Sequence, residues 1–215
     1  MVFYTIIFVI AVVIAIWVAW RLCSRRALLP CPAALSCLVE MDNPLARVTH
    51  SKSVIRQLGL KTGARVADIG CGPGRVTIPL ARAVGSEGEV IAMDVQAEML
   101  AKIAVKAEKH QLSNIRLLRC DARERKLPEN SLDAAVMVMA LGEIPDNPEV
   151  LSMIYSVLKA GGHLLIAESV FDPHFIGKKR LIDMAVTAGF IEKGLEGNFL
   201  AYAIIFEKPM GTPIS

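Results

Sequence analysis

Val66-Ala67-Asp68-Ile69-Gly70-Cys71-Gly72-Pro73-Gly74, with Asp94 about twenty residues further on, decides the fold of this chain. The run reads as a buried parallel strand, a glycine-rich turn and the start of a helix. Asp94 then stands at the tip of the next strand. This is the layout of a nucleotide-type ligand site at the carboxyl edge of an open α/β sheet. Glycine lets the backbone pass close beneath a ligand, at angles closed to other residues. The helix amino end offers unpaired N–H groups. An acid at the second strand tip can accept both hydroxyls of a ribose.

Outward from this run, strands and helices alternate. Strands are expected at 65–69, 89–93, 115–119, 133–139 and 163–167. Helices are expected at 49–58, 74–83, 97–110, from Pro148 to Leu158, and at 176–188. Pro79 should bend the second helix or tighten its first turns, and Gly161-Gly162 should stop the fourth. The unbroken apolar run of the fourth strand suits a central strand buried on both faces. Residues 190–195 and 200–207, joined at Gly197-Asn198, read as an antiparallel hairpin. The alternation implies an α/β fold with a doubly wound sheet.

The glycine spacing narrows the ligand. A dinucleotide turn has the pattern G-x-G-x-x-G, with the pyrophosphate on the helix N-terminus. Here the glycines fall at Gly70, Gly72 and Gly74, and Arg75 takes the place of the last one. A carboxylate at Asp68 would repel a pyrophosphate, but it suits a ligand carrying an ammonium and a sulfonium. The pattern resembles motif I of the class I S-adenosylmethionine (AdoMet) methyltransferases, with a nicotinamide- or flavin-binding domain as the alternative. Ala92-Met93-Asp94, Cys120-Asp121-Ala122 and Val157-Leu158-Lys159-Ala160-Gly161-Gly162 extend the resemblance over residues 54–209. It is closest to the ubiquinone/menaquinone-biosynthesis C-methyltransferases. The resemblance implies a mostly parallel seven-stranded Rossmann-like sheet of order 3-2-1-4-5-7-6, strand seven antiparallel, with AdoMet as cofactor.

It also implies roles for particular residues. Asp68 should face the methionine ammonium; its alternative is a structural carboxylate that pairs with Arg47 or caps the turn. Gly70, Cys71, Gly72 and Gly74 should bring backbone against the ligand, and Asp94 should take the ribose hydroxyls. Val95 and Met99 are placed to pack on the adenine, with plain core as the other reading of Met99. Asp121 with Ala122 should meet the adenine amino group and ring edge. The fourth strand ends at Ala140-Leu141-Gly142-Glu143-Ile144-Pro145, where the family faces the methyl group. This is not the Asn/Asp-Pro-Pro-Tyr/Phe motif of methyltransferases acting on amino groups of bases or glutamine. Glu143 is the first candidate for contacting the acceptor or taking a proton. Glu168, Asp172 and His174 follow strand five. His174 is a candidate base near neutral pH, with a solvated loop histidine as the alternative. Asn198, Phe199 and Tyr202 are candidates for the far wall.

Composition sets the remaining bounds. The 215 residues suit one domain with a full core. Net charge is only +3 and aromatics make up 6%, which gives no nucleic-acid footprint. The five cysteines form no C-x-x-C pair and read as reduced thiols, with no metal site expected. Positive mean hydropathy has a local cause: Met1 to Trp20 is apolar except for Thr5, and Arg21, Arg25 and Arg26 follow. That length matches a bilayer, and the basic flank puts the catalytic part on the cytoplasmic side. A cleaved signal peptide would carry a basic start and a small-residue cleavage site, which are missing.

The expected organisation is a transmembrane anchor at 1–21, a juxtamembrane connector at 22–48, an AdoMet-dependent domain at 49–209 and a tail at 210–215. With no long lid between strands five and six, the acceptor wall should come from residues 32–53. The expected protein is a single-pass membrane methyltransferase acting on a small, lipid-soluble acceptor such as a quinone precursor. Two other readings stand beside it. One is detoxification of small thiols, phenols or metalloids, for which Cys23, Cys31 and Cys37 are loosely suited. The other is a membrane-tethered AdoMet-binding scaffold without turnover.

Overall fold

The computed structural model describes residues 4–9, 11, 12, 15, 18, 19, 40 and 42–210. After a single 3-10 turn at Arg47–Thr49, helix α1 (Ser51–Leu58) leads into β1 (Arg65–Ile69). Then follow α2 (Thr77–Val84), β2 (Glu89–Asp94), α3 (Ala97–Lys109), β3 (Ile115–Arg119) and β4 (Leu132–Val138). The chain continues through α4 (Asn147–Val157), β5 (Leu158–Ser169), α5 (Lys178–Thr187), β6 (Ile191–Gly197) and β7 (Ala201–Glu207). The seven strands form one sheet of order β3-β2-β1-β4-β5-β7-β6. β1 pairs in parallel with β2 and β4, and β7 runs antiparallel to both β5 and β6. Order and direction are those implied by the family resemblance.

Two apolar layers cover the sheet because successive strand side chains alternate between its faces. Ile69, Ile91, Met137, Ile166 and Ile204 face one way, against Leu151 and Ile154 of α4 and Leu181 of α5. Val66, Val90, Val136, Leu165 and Ala203 face the other way, against Val54 and Leu58 of α1 and Leu80 and Val84 of α2. All of these are buried, and each large aliphatic side chain contributes about 1.5–3 kcal/mol. β6 is the exception, exposed along its whole length. Its Glu192, Lys193 and Glu196 discourage edge-to-edge pairing.

Three expectations are refined. The second helix is regular only from Thr77, yet Ile78 N–H already donates to Gly74 O (3.2 Å) and Leu80 N–H to Val76 O (3.0 Å). Pro79, between them, lacks the N–H that would make the bond in between, so it tightens the entry turn without breaking the helix. Gly161-Gly162 does not stop the fourth helix. α4 ends at Val157, and the chain turns directly into β5 with Leu158 extended. The glycines instead form a bulge, because Leu132 pairs with Leu158 while Ala134 already pairs with His163. Gly161 takes φ +76°, and its N–H donates to the O of Lys208, just past β7 (2.8 Å).

The expected single-pass anchor is not supported, and the membrane localisation drawn from it is corrected. Residues 4–9 are helical and exposed. Among the described residues no helix is long and apolar enough to cross a membrane. The reading at 1–21 rested on apolar composition over a span of which several positions lie outside the described residues. The connector residues Cys23, Cys31 and Cys37 also lie outside them. Cys71 and Cys120 are free thiols, both buried.

Candidate active site

The tips of β1, β2, β4 and β5 meet at one edge of the sheet, and the sequence-derived residues gather there. β1 delivers Asp68, 2% exposed, beneath the glycine turn. Its Oδ2 accepts a hydrogen bond from the Thr77 hydroxyl at 2.6 Å. Burial outweighs that bond and the attraction of Arg75, pushing the Asp68 carboxyl up from 3.8 to about 6. Arg47 is not its partner. A buried carboxylate held up in this way is stabilised by any cation brought against it.

Gly70 adopts φ +70°, and a Cβ there would lie 2.5 Å from Ala140 Cβ. The turn after β1 therefore packs directly on the tip of β4, which only glycine allows. Asp94 ties the same turn to β2. Its Oδ2 accepts from Gly72 N–H and its Oδ1 from Gln96 N–H, each at 2.9 Å. Burial raises the Asp94 pKa, with the backbone donors of Gln96 and Gly72 opposing. Cys71, 7% exposed, has its thiol pushed up by burial and by the charges of Asp68 and Asp94. It is a small residue fitting the turn, not an activated nucleophile.

The remaining adenine-side candidates divide. Val95 is half exposed at the sheet edge, whereas Met99 is buried with the core. Ala122 is buried in the 3-10 turn after β3, which Asp121 caps. Asp121 is heavily engaged. Its Oδ1 accepts from the Arg123 backbone N–H and Nε, each at 2.9 Å, and its Oδ2 from Arg123 Nη2 at 2.6 Å. The Arg123 hydrogen bond holds its carboxyl down at about 2.

On the acceptor side, the loops after β4 and β5 press together. Gly142 lies so close to the His174 backbone that a Cβ would sit 2.0 Å from His174 O. This contact brings Glu143, Asp172 and His174 into one cluster. His174 Nδ1 is 3.8 Å from Glu143 Oε1 and 3.7 Å from Asp172 Oδ1. The His174 side chain is 3% exposed, so it is not a solvated loop histidine. Glu168 lies beneath, 1% exposed, with Oε1 lacking a hydrogen-bond partner and Oε2 accepting from Ile176 N–H at 3.4 Å. Burial, then the Asp172 charge, pushes its carboxyl well above the ordinary range. Tyr202 is not wall but support: it is buried, and its hydroxyl donates to Ile176 O at 2.5 Å. Phe199 is 81% exposed.

Sequence reading missed three supporting residues. Thr77 is the first residue of α2 and a buried polar group on an apolar helix face, which was its available signal. Lys106 Nζ donates to Pro73 O at 2.7 Å, bracing the glycine turn from α3. Arg75 donates to Asp42 Oδ1 (3.0 Å) and Thr49 O (2.9 Å), fastening the segment before α1 over the turn. No local pattern announces either long-range tie. Among the described residues no group of His, Cys, Asp or Glu is arranged to hold a metal ion.

Residues 66–162, from β1 through the β5 bulge, match the family model described as a methyltransferase domain. The chain is 32% identical over 145 residues to a demethylmenaquinone methyltransferase of Geobacillus sp. (strain WCH70), covering 66% of this chain. It spans 62% of that relative's length. A SAM-dependent methyltransferase from Aquifex aeolicus superposes with TM-score 0.73 at 23% identity, over 82% of this chain and 98% of that one. A Haemonchus contortus phosphoethanolamine N-methyltransferase 2, solved with S-adenosylhomocysteine, superposes with TM-score 0.64 at 19% identity, over 74% of this chain and 52% of that one. The structural likenesses establish the fold. Within that fold, residues 66–162 carry the methyltransferase-domain match.

Proposed function

We propose that this chain transfers the methyl group of AdoMet to a small, hydrophobic acceptor held at the tips of β4 and β5. The observation that carries this reading is the convergence of Asp68, the glycine turn and Asp94 at one sheet edge, with the Glu143–His174 pair beside it. The relatives' name supports a quinone-type acceptor. AdoMet, when bound, supplies an electrophilic methyl group on a sulfonium. Asp68 would receive its ammonium and Asp94 its ribose hydroxyls, and the backbone of Gly70 to Gly74 would pass beneath it. Val95 and Ala122 border the adenine; Asp121 acts there through the turn it caps.

The protein's main task is in-line placement and exclusion of water, and positioning alone can supply about 7–11 kcal/mol. Glu143 and His174, at the β4 and β5 tips, would hold the attacking atom of the acceptor against the methyl group, for which the sulfonium would supply the leaving group and keep the electron pair. A proton released from the acceptor would pass to His174, whose ring lies between the Glu143 and Asp172 carboxylates. Glu143 Oε1 and Asp172 Oδ1, 3.8 and 3.7 Å from His174 Nδ1, are near enough to orient its ring.

The test is incubation of the full chain with methyl-labelled AdoMet and a short-chain demethylated naphthoquinol. Labelled, solvent-extractable product is expected. Glu143→Gln and His174→Ala should each lower kcat by about a hundredfold or more while leaving AdoMet affinity intact. Absence of label transfer by a protein that binds AdoMet would contradict a quinone-type acceptor. Unchanged kcat in both variants would remove them from the chemistry.

A pH dependence follows from Asp68. Its carboxyl is raised from 3.8 to about 6 in the fold, so its contribution to the stability of the free protein declines as pH rises between those values. Ligand binding has the opposite sign, because only the ionised form meets an ammonium. AdoMet affinity should therefore fall about tenfold between pH 7 and pH 5. The raised Asp94 carboxyl acts in the same direction. Calorimetry across this range should show a shallower fall in Asp68→Asn, and an equal slope would exclude Asp68 as the titrating group.

A further inference from the structure

An open cavity of about 780 Å³ lies between the segment before α1 and the β6–β7 turn, and the methyl-transfer chemistry leaves it unused. Its two walls belong to the active edge. On one side, Asp42 and Thr49 of the segment before α1 are fastened to Arg75, the residue after the glycine turn. On the other, Leu200 O accepts from Val170 N–H (2.9 Å) and from Ser169 Oγ (3.3 Å), at the tip of β5. The groove thus opens beside both the glycine turn and the strand that carries Glu168. Residues 44–53, within the span read from sequence as the acceptor wall, form one side of it.

The lining joins two chemistries. Leu45, Val48 and Leu200 give it apolar surface. Arg47, Lys52 and Arg56 give it positive charge, opposed by Glu196, which pairs with Arg56 at 2.6 Å. Arg47 and Lys52 have no ion-pair partner among the described residues, so the groove keeps an excess of cations. His50 adds a ring whose Nε2 lies 2.8 Å from Asn43 O, fixing its orientation. An excess of fixed cations on a concave, partly apolar surface favours an anion with an apolar body.

We propose that this groove holds an acidic group, a carboxylate or a phosphate, borne by the hydrophobic methyl acceptor, so that the whole acceptor is an amphiphilic acid of which a neutral quinol is only the reacting part. The assignment rests on the methyltransferase reading only for the word acceptor. The anion site itself stands on the cavity and its unpaired cations. Arg47 and Lys52 contact the oxyanion. Arg56, restrained by Glu196, shapes the end of the groove. The reacting atom of the acceptor then points toward the β4 and β5 tips, while the acid sets its orientation.

The test is titration of the full chain, saturated with S-adenosylhomocysteine, with phenyl phosphate, benzoate and benzylammonium, followed by amide NMR shifts. Saturable binding of at least one anion is expected, with shifts concentrated at 44–56 and 196–201 and none from benzylammonium. Preference between the two anions identifies the acid class. Combined Arg47→Glu and Lys52→Glu substitution should weaken anion binding by about tenfold or more and leave S-adenosylhomocysteine affinity unchanged. No saturable anion binding, equal response to benzylammonium, or indifference to the double charge reversal would overturn the proposal. Failure of S-adenosylhomocysteine to bind would instead contradict the methyltransferase reading, and the anion titration would still report on the groove.

Discussion

Asp94→Ala should lower AdoMet affinity by about a hundredfold. The carboxylate has two jobs at once. It accepts Gly72 N–H and Gln96 N–H, each at 2.9 Å, which fixes the glycine turn against the tip of β2. In the proposed role, its remaining lone pairs take the ribose hydroxyls. A hydrogen bond to a charged acceptor contributes about 1.5–3 kcal/mol. Losing the ribose pair therefore costs about 3 kcal/mol, or two decades in Kd. The loosened turn adds to that loss, since Gly72 N–H no longer has a side-chain acceptor. Calorimetric titration of the full-length variant checks the value. A Kd within about threefold of the parent would show that Asp94 only braces the turn.

Gly142→Ala should be the most destabilising single substitution near the acceptor side, at about 3 kcal/mol. Its added Cβ would meet His174 O at 2.0 Å and the His174 carbonyl carbon at 2.8 Å. Both are backbone atoms, so no side chain can swing aside. The loop after β5 must move away from the loop after β4, and the cluster of Glu143, Asp172 and His174 opens with it. For a chain of this size the loss corresponds to a Tm lower by about 9 °C. Thermal unfolding measures it, and single-turnover methyl transfer at a temperature where the variant is folded should be slowed. AdoMet affinity should change little, because Asp68 and Asp94 stand on other strands. An unaltered Tm would mean that these two loops are not packed as described.

Much of this architecture was legible because it is written locally. Strand and helix periods, the glycine turn and the acid at the tip of β2 each depend on a few consecutive residues. Asp68, Gly70, Gly72 and Asp94 accordingly come together at one edge. The site's supports were less legible because they join distant positions. Thr77 on Asp68 spans nine residues and Arg75 on Asp42 spans thirty-three. The embrace of Asp121 by Arg123 is local, but nothing in the pair of letters says whether the acid greets a ligand or its own neighbour. Gly161-Gly162 carried the usual mark of a helix stop; backbone pairing with Leu132 and Lys208 drew the chain straight into β5 and turned the glycines into a bulge. Length and apolarity at residues 1–21 suggested a span, and among the described residues no helix meets that requirement.

The burial of Glu168 and His174 was also beyond a sequence reading. Polar residues after a strand usually meet solvent. Here Gly142 packs on the His174 backbone, the Glu168 carboxyl is held well above its ordinary range, and His174 has little access to water. Such enclosure is what the proposed methyl transfer would need in order to exclude water.

The most direct test of the account is equilibrium titration of the full chain with AdoMet and, separately, with NADH. Saturable binding of AdoMet with no response to NADH is the predicted result. A folded protein that ignores AdoMet and binds NADH would contradict the assignment of Asp68 to an ammonium and return the glycine turn to a dinucleotide role.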